Sequence, residues 1–150
     1  MSTPPPSGPR RPSLPSEPVI ATPDPEELEQ RARIRRLMAR GRFTDASEAM
    51  TEAGLDGDEL ALYGAWIQTE RLLADDNDIG LDPELGKLAA AALRENRQLG
   101  FGYYVLGRIA EVEGRTDDAA RAFRIATQLS PEHRDARRRD HICRRRGHGH

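Results

Sequence analysis

Gly41-Arg42-Phe43-Thr44-Asp45-Ala46-Ser47-Glu48-Ala49-Met50 aligns without a gap against Gly114-Arg115-Thr116-Asp117-Asp118-Ala119-Ala120-Arg121-Ala122-Phe123. In each copy a glycine suited to stop one helix precedes an acid, Asp45 or Asp118, placed for the first turn of the next. Alanines then recur at helical spacing, Ala46 and Ala49 in one copy, Ala119 and Ala122 in the other. Small residues on one face let two helices approach closely. A bulky residue, Met50 or Phe123, follows one turn later. The simplest reading is a duplicated helix–turn–helix.

Working outward, Asp24-Pro25-Glu26-Glu27 combines an N-cap, a proline at the first helical position and acids at the positive end of the dipole. It predicts a helix to about Arg40, with Leu28, Ala32, Ile34 or Arg35, and Leu37 as its stripe. A second helix is expected over 44–53, stopped by Gly54. Asp56 or Asp58 caps a third through Leu60, Tyr63, Gly64, Ile67 and Leu72, followed by a polar loop over 75–82. Asp82-Pro83-Glu84 repeats the opening signal before Leu85, Leu88, Ala89, Ala92 and Leu93. Two more helices are expected near 101–113 and 116–129, and Pro131-Glu132 opens a last, very basic one. No stretch alternates apolar and polar residues for long enough to make a strand. The expectation is all-α, about seven helices in antiparallel hairpins over residues 25–146.

Residues 1–24 hold eight prolines, which remove backbone donors, so a disordered leader is expected there. Pro-Ser-Leu-Pro and Pro-Ser-Glu-Pro have the spacing of ligands for proline-recognising domains, but a flexible leader is the simpler account. A disordered tail is expected over 147–150. Charged residues make up 32% of the chain and aromatics 5%, which suits a thin helical layer and excludes a large aromatic core. A formal net charge of -2 argues against a dedicated nucleic-acid binder. One cysteine, Cys143, excludes an internal disulfide and a Cys-rich zinc site. With no apolar run long enough for a bilayer and no signal-like N-terminus, the chain reads as soluble and cytoplasmic, with no membrane partner.

The second copy has Tyr103, Leu106, Gly107, Ala110, Ala119, Phe123, Ala126 and Pro131 at fixed offsets. It resembles the tetratricopeptide-repeat family, whose pattern is W-x2-L-G-x2-Y, A-x3-F and P. Tyr103 stands at the tryptophan place and Ala110 where tyrosine is usual. The resemblance covers Gly100 to His133 and is partial over Ile34 to Ala53. In the middle it is poor, because the 75–82 loop exceeds the standard turn. It implies a short α-solenoid of stacked hairpins with a C-terminal capping helix. Gly107 and Ala119 would then permit close helix approach, and Phe123 and Leu106 would fill the space between hairpins.

That resemblance also implies a concave groove lined by the first helix of each hairpin. Its offsets fall on Arg31, Arg35 and Met38, then Ala61, Ala65 and Gln68, then Phe101, Tyr104, Arg108 and Glu111. Such a groove suits a peptide with acidic residues. The implied function is a non-enzymatic adaptor that holds a protein or peptide partner. The alternative is a regulatory or chaperone-associated module working through its basic C-terminal helix on an acidic partner or nucleic acid. Arg134, Arg137, Arg138, Arg139, Arg144, Arg145 and Arg146 form that block.

Catalytic and metal patterns fall away on inspection. His133-Arg134-Asp135 looks like a kinase triplet, but Asp140 stands where asparagine is needed and no glycine-rich loop exists. The loop from Asp75 has Gly86 where a calcium loop needs glutamate. His148 and His150 lack a carboxylate or cysteine cage. Cys143, among arginines, would have a lowered pKa if exposed; the plainer reading is a small residue docking the last helix beside Ala136. Tyr63 and Trp66 read as packing groups, with Trp66 off the main stripe and partly exposed. No catalytic residue, cofactor or metal site is expected.

Overall fold

A computed structural model describes residues 24–76 and 80–148, so all but the last residue of the proline-rich leader lies outside the described residues. Seven helices are present: α1 (Pro25–Ala39), α2 (Phe43–Ala53), α3 (Asp58–Asp75), α4 (Glu84–Glu95), α5 (Gly100–Val112), α6 (Thr116–Leu129) and α7 (Arg134–His148). No strand occurs among the described residues. Each helix packs against its neighbours in chain order, the arrangement of a helical-repeat solenoid, with α2 on α3 the sparsest junction. Side chains from all seven helices enter one buried core.

The two Asp-Pro-Glu signals work alike. Asp24 accepts from the Glu26 N–H at 3.3 Å, and Asp82 accepts from the Glu84 N–H at 2.9 Å. At the first repeated turn Gly41 is left-handed at φ 75°, and at the second Gly114 at φ 79°. The Arg42 N–H then reaches the Leu37 carbonyl at 2.9 Å, as the Arg115 N–H reaches that of Ala110 at 2.8 Å.

The central packing helix is α5. A Cβ on Gly107 would stand 2.6 Å from the Phe123 ring, so only glycine admits that ring here. On another side, a Cβ on Gly102 would lie 2.7 Å from Leu93 of α4. Ala119, Phe123 and Ala126 are buried on α6, whereas Tyr103 and Leu106 are only half-buried. Phe123 therefore fills space inside its own hairpin, where the resemblance had put it between hairpins.

Several expectations need correction. Leu28 is 52% exposed, and α1 buries Ile34, Met38 and Ala39 instead, because its inward face begins one turn later. Met38 is thus core and not groove. Trp66 is fully buried, since α3 is enclosed on that side by α5. α7 starts at Arg134, three residues after the exposed Pro131, and runs through His148, past the boundary expected at 146. Its cap is His133, whose Nδ1 accepts from the Ala136 N–H at 3.2 Å.

Candidate functional site

The odd-numbered helices meet along a polar and aromatic seam that contains most of the expected groove residues. At its first end, Arg35 of α1 donates from Nε and Nη2 to the two Glu59 oxygens of α3, at 2.6 and 2.9 Å. Tyr63 donates to the same carboxylate at 2.6 Å. The Glu59 hydrogen bond holds the Arg35 guanidinium above its ordinary pKa. Burial, with Glu59 adding to it, pushes the Tyr63 phenol well up. Arg31 is also engaged, bonding Glu27 at 3.2 Å and the Asp56 carbonyl at 3.0 Å.

Aromatic rings carry the seam from α3 to α5. Tyr63 meets Phe101 edge-on at 5.1 Å, and Trp66 meets Tyr104 edge-on at 5.6 Å. The Arg108 guanidinium lies over the Trp66 ring, 5.1 Å from its centre.

At the far end α7 covers the α5 positions. Tyr104 donates to Asp135, and Arg138 and Arg139 each donate to that carboxylate at 2.8 Å. Burial alone would raise the Asp135 carboxyl, but these donors prevail and hold it well below the usual carboxylate range. Burial drives the Tyr104 phenol far up. Arg139 also pairs with Glu111 of α5 at 2.5 Å. The His133 ring stacks on Tyr104 with centres 4.3 Å apart. Burial lowers its pKa to about 4, against the opposing pull of Asp135 and Glu132. A neutral His133 that accepts at Nδ1 carries its proton on Nε2.

Phe101, Tyr104, Arg108 and Glu111 thus gather as expected, but the chain itself occupies them. Asp135 of α7 supplies the carboxylate beside Tyr104. Its role had no clear sequence signal beyond an acid in the first turn of a basic helix. Glu59 was equally missed; its signal is the four-residue spacing to Tyr63, which puts both on one helix face.

Of the expected groove residues, Gln68 stands apart, exposed and without a side-chain hydrogen-bond or ion-pair partner among the described residues. It lies on a face of α3 where Ala61, Gly64, Gln68 and Leu72 are exposed and Ala65 is half-buried. Ala61, Gly64, Gln68 and Leu72 themselves carry no charge, and exposed Arg71 borders them. The face leads into a cavity of about 540 Å³ between α3 and α4, lined by Leu72, Leu81, Leu85 and Leu88 together with Gln68, Asp82 and Glu84, among others. Leu72 is 52% exposed at its edge.

In the basic block, Arg137, Arg138, Arg144, Arg145 and Arg146 are exposed, whereas Arg139 is tied to Asp135 and Glu111. Cys143 packs partly against the core, and burial raises its thiol pKa despite the nearby Arg146 and Arg139. It does not have the activated thiol that its arginine neighbours would give an exposed cysteine. No group of His, Cys, Asp and Glu with metal-site spacing occurs among the described residues, and none of their helices is long and apolar enough to cross a membrane. Comparison with protein-family models, curated proteins and solved structures finds no match.

Proposed function

We propose that the chain is a non-enzymatic adaptor, a short tetratricopeptide-like array that docks a protein or peptide segment on α3. The observation that carries this reading is the exposed strip Ala61–Gly64–Gln68–Leu72, bordered by Arg71 and continuous with a cavity in which Leu72, Leu81, Leu85 and Leu88 face Asp82 and Glu84. Small side chains allow a partner helix or strand to approach the backbone closely, and Leu72 with the cavity supplies an apolar anchor point. Gln68 offers a donor and an acceptor to fix register. Tyr104 and Glu111 of α5 are already paired with Asp135 and Arg139, which favours the middle of the array in this reading.

The test is Ala61→Arg with Gln68→Arg, compared with the unaltered chain by quantitative affinity capture. Both sites are exposed, so circular dichroism should show an unchanged helical spectrum. Proteins recovered with the unaltered chain should fall at least tenfold in the variant. That corresponds to roughly 1.4 kcal/mol, what an interface forfeits when one buried anchor is displaced. Equal recovery removes the α3 surface from the reading. Equal recovery with α3 altered, but loss on Arg35→Glu with an unchanged helical spectrum and melting curve, would return the site to the seam.

A further inference from the structure

Charge along the chain is sharply divided. Residues 24–133 contain fourteen Lys and Arg against twenty-two Asp and Glu, whereas α7 has seven arginines against two aspartates. Both aspartates of α7 are engaged by the fold. Asp135 accepts from Tyr104, Arg138 and Arg139, and the buried Asp140 pairs with Arg144 at 3.2 Å. The neutralising groups therefore sit on the inward side or beside it.

The outward side is rich in arginine. Arg134, Arg137, Arg138, His141, Arg144 and Arg145 are all exposed, and the three- and four-residue steps 134–138–141–145 and 134–137–141–144 align them along one face. Arg134, Arg137 and Arg145 of this stripe, and the exposed Arg146 on its flank, have no side-chain ion-pair or hydrogen-bond partner among the described residues. From Arg134 to Arg145 the helix rises about 16 Å, the axial length of roughly five phosphates on one strand of a duplex. Arginines suit the C-terminal end of a helix, but two of the unpaired ones, Arg134 and Arg137, stand in the first turn, where the dipole disfavours them. Capping alone does not account for that placement.

A folded protein partner would need an apolar or aromatic anchor at the centre of its interface. Beside this stripe the partly exposed apolar side chain is Ile142, a single residue between Arg138 and Arg145. A row of guanidinium groups with so little apolar surface matches a phosphate backbone, which is bound through charge and without reading sequence. We propose that the outward face of α7 binds the phosphate backbone of nucleic acid. The surface is separate from the α3 face and adds to the adaptor reading without resting on it. The acidic body repels the same polyanion, so binding is confined to the edge of the array, and the number of phosphates engaged stays small.

The experiment is fluorescence anisotropy of the full chain with labelled duplexes and single strands of about 20 nucleotides in mixed sequence, over roughly 25 to 200 mM salt. Four engaged phosphates predict a slope of log affinity against log salt of about −3 to −4 for duplex, independent of sequence. The combined variant Arg134→Gln, Arg137→Gln, Arg145→Gln and Arg146→Gln should weaken binding at least tenfold and flatten the slope. Glutamine keeps helix propensity. Lysine at the same four positions should retain affinity within about threefold, because the recognition is of charge. Absence of binding by the unaltered chain at the lowest salt would overturn the proposal. So would a slope near zero, or competition by polyglutamate as strong per charge as by the nucleic acid.

Discussion

The first and last hairpins share a turn and differ in how they are packed. At the turns, left-handed Gly41 and Gly114 are followed by Arg42 and Arg115, each paired with an aspartate three residues on, at 2.5 and 3.0 Å. Beyond the turns the likeness ends. Phe123 is fully buried against Gly107, while its counterpart Met50 is only half-buried. Extending the same alignment upstream places Ile34 opposite Gly107, so bulk sits on the first helix of one hairpin and on the second helix of the other. The lesson is that ten residues specify a turn locally, whereas packing depends on pairs of positions whose sizes can be exchanged.

The largest effect should separate those two packings. Phe123→Ala removes a fully enclosed ring and should cost about 3–5 kcal/mol. Met50→Ala at the aligned, half-buried position should cost about 1–2 kcal/mol. Denaturant unfolding of both variants measures the difference. Equal losses would mean that the hairpins are packed alike and that the comparison fails.

The same contrast explains what the sequence disclosed. Helix starts at Asp24 and Asp82, and stops at Gly41, Gly54 and Gly114, are local chemistry, readable within four or five residues. The all-α class and the order of the helices followed from them. The seam was not legible in this way. Glu59 and Arg35 lie 24 residues apart, and Asp135 and Tyr104 lie 31 apart. Nothing in the spacing says that α7 folds back over the positions a ligand was expected to fill. Trp66 was misplaced for the same reason: its burial comes from Phe101, Tyr104 and Arg108 on another helix.

A second effect belongs to the last hairpin alone. Buried His133 titrates at about 4, against 6.5 for the unperturbed side chain. As pH falls below about 6.5 the unfolded chain takes up a proton that the folded chain refuses until about pH 4. Stability contributed by the neutral ring is thus complete above about 6.5, is lost between there and about 4, and is then constant, a decline of about 1–3 kcal/mol. Asp135, held below the carboxylate range, loses its own contribution only in stronger acid. His133→Asn preserves an N-cap acceptor but cannot titrate. Its stability should be level from pH 6.5 to 4 and still fall below that. An unaltered decline over the upper window would assign it to groups other than His133.

The smallest effect tests the junction of the first hairpin. α2 meets α3 sparsely, and α1 is tied to α3 by the Arg35–Glu59 pair, whose carboxylate is buried while the guanidinium is 45% exposed. Arg35→Ala leaves Glu59 with Tyr63 as its remaining side-chain donor. Removing one partner of an enclosed pair costs about 3–5 kcal/mol, but solvent at Arg35 screens this one, and about 1–2 kcal/mol is expected. The loss should be local. Hydrogen exchange should quicken across α1 and α2 and stay unchanged in α5 and α6, because the last hairpin is held independently by Phe123 and by the hydrogen bonds to Asp135. Uniform acceleration through all seven helices would show instead that the array opens as one unit, and that the two ends differ in sequence but not in how they are held.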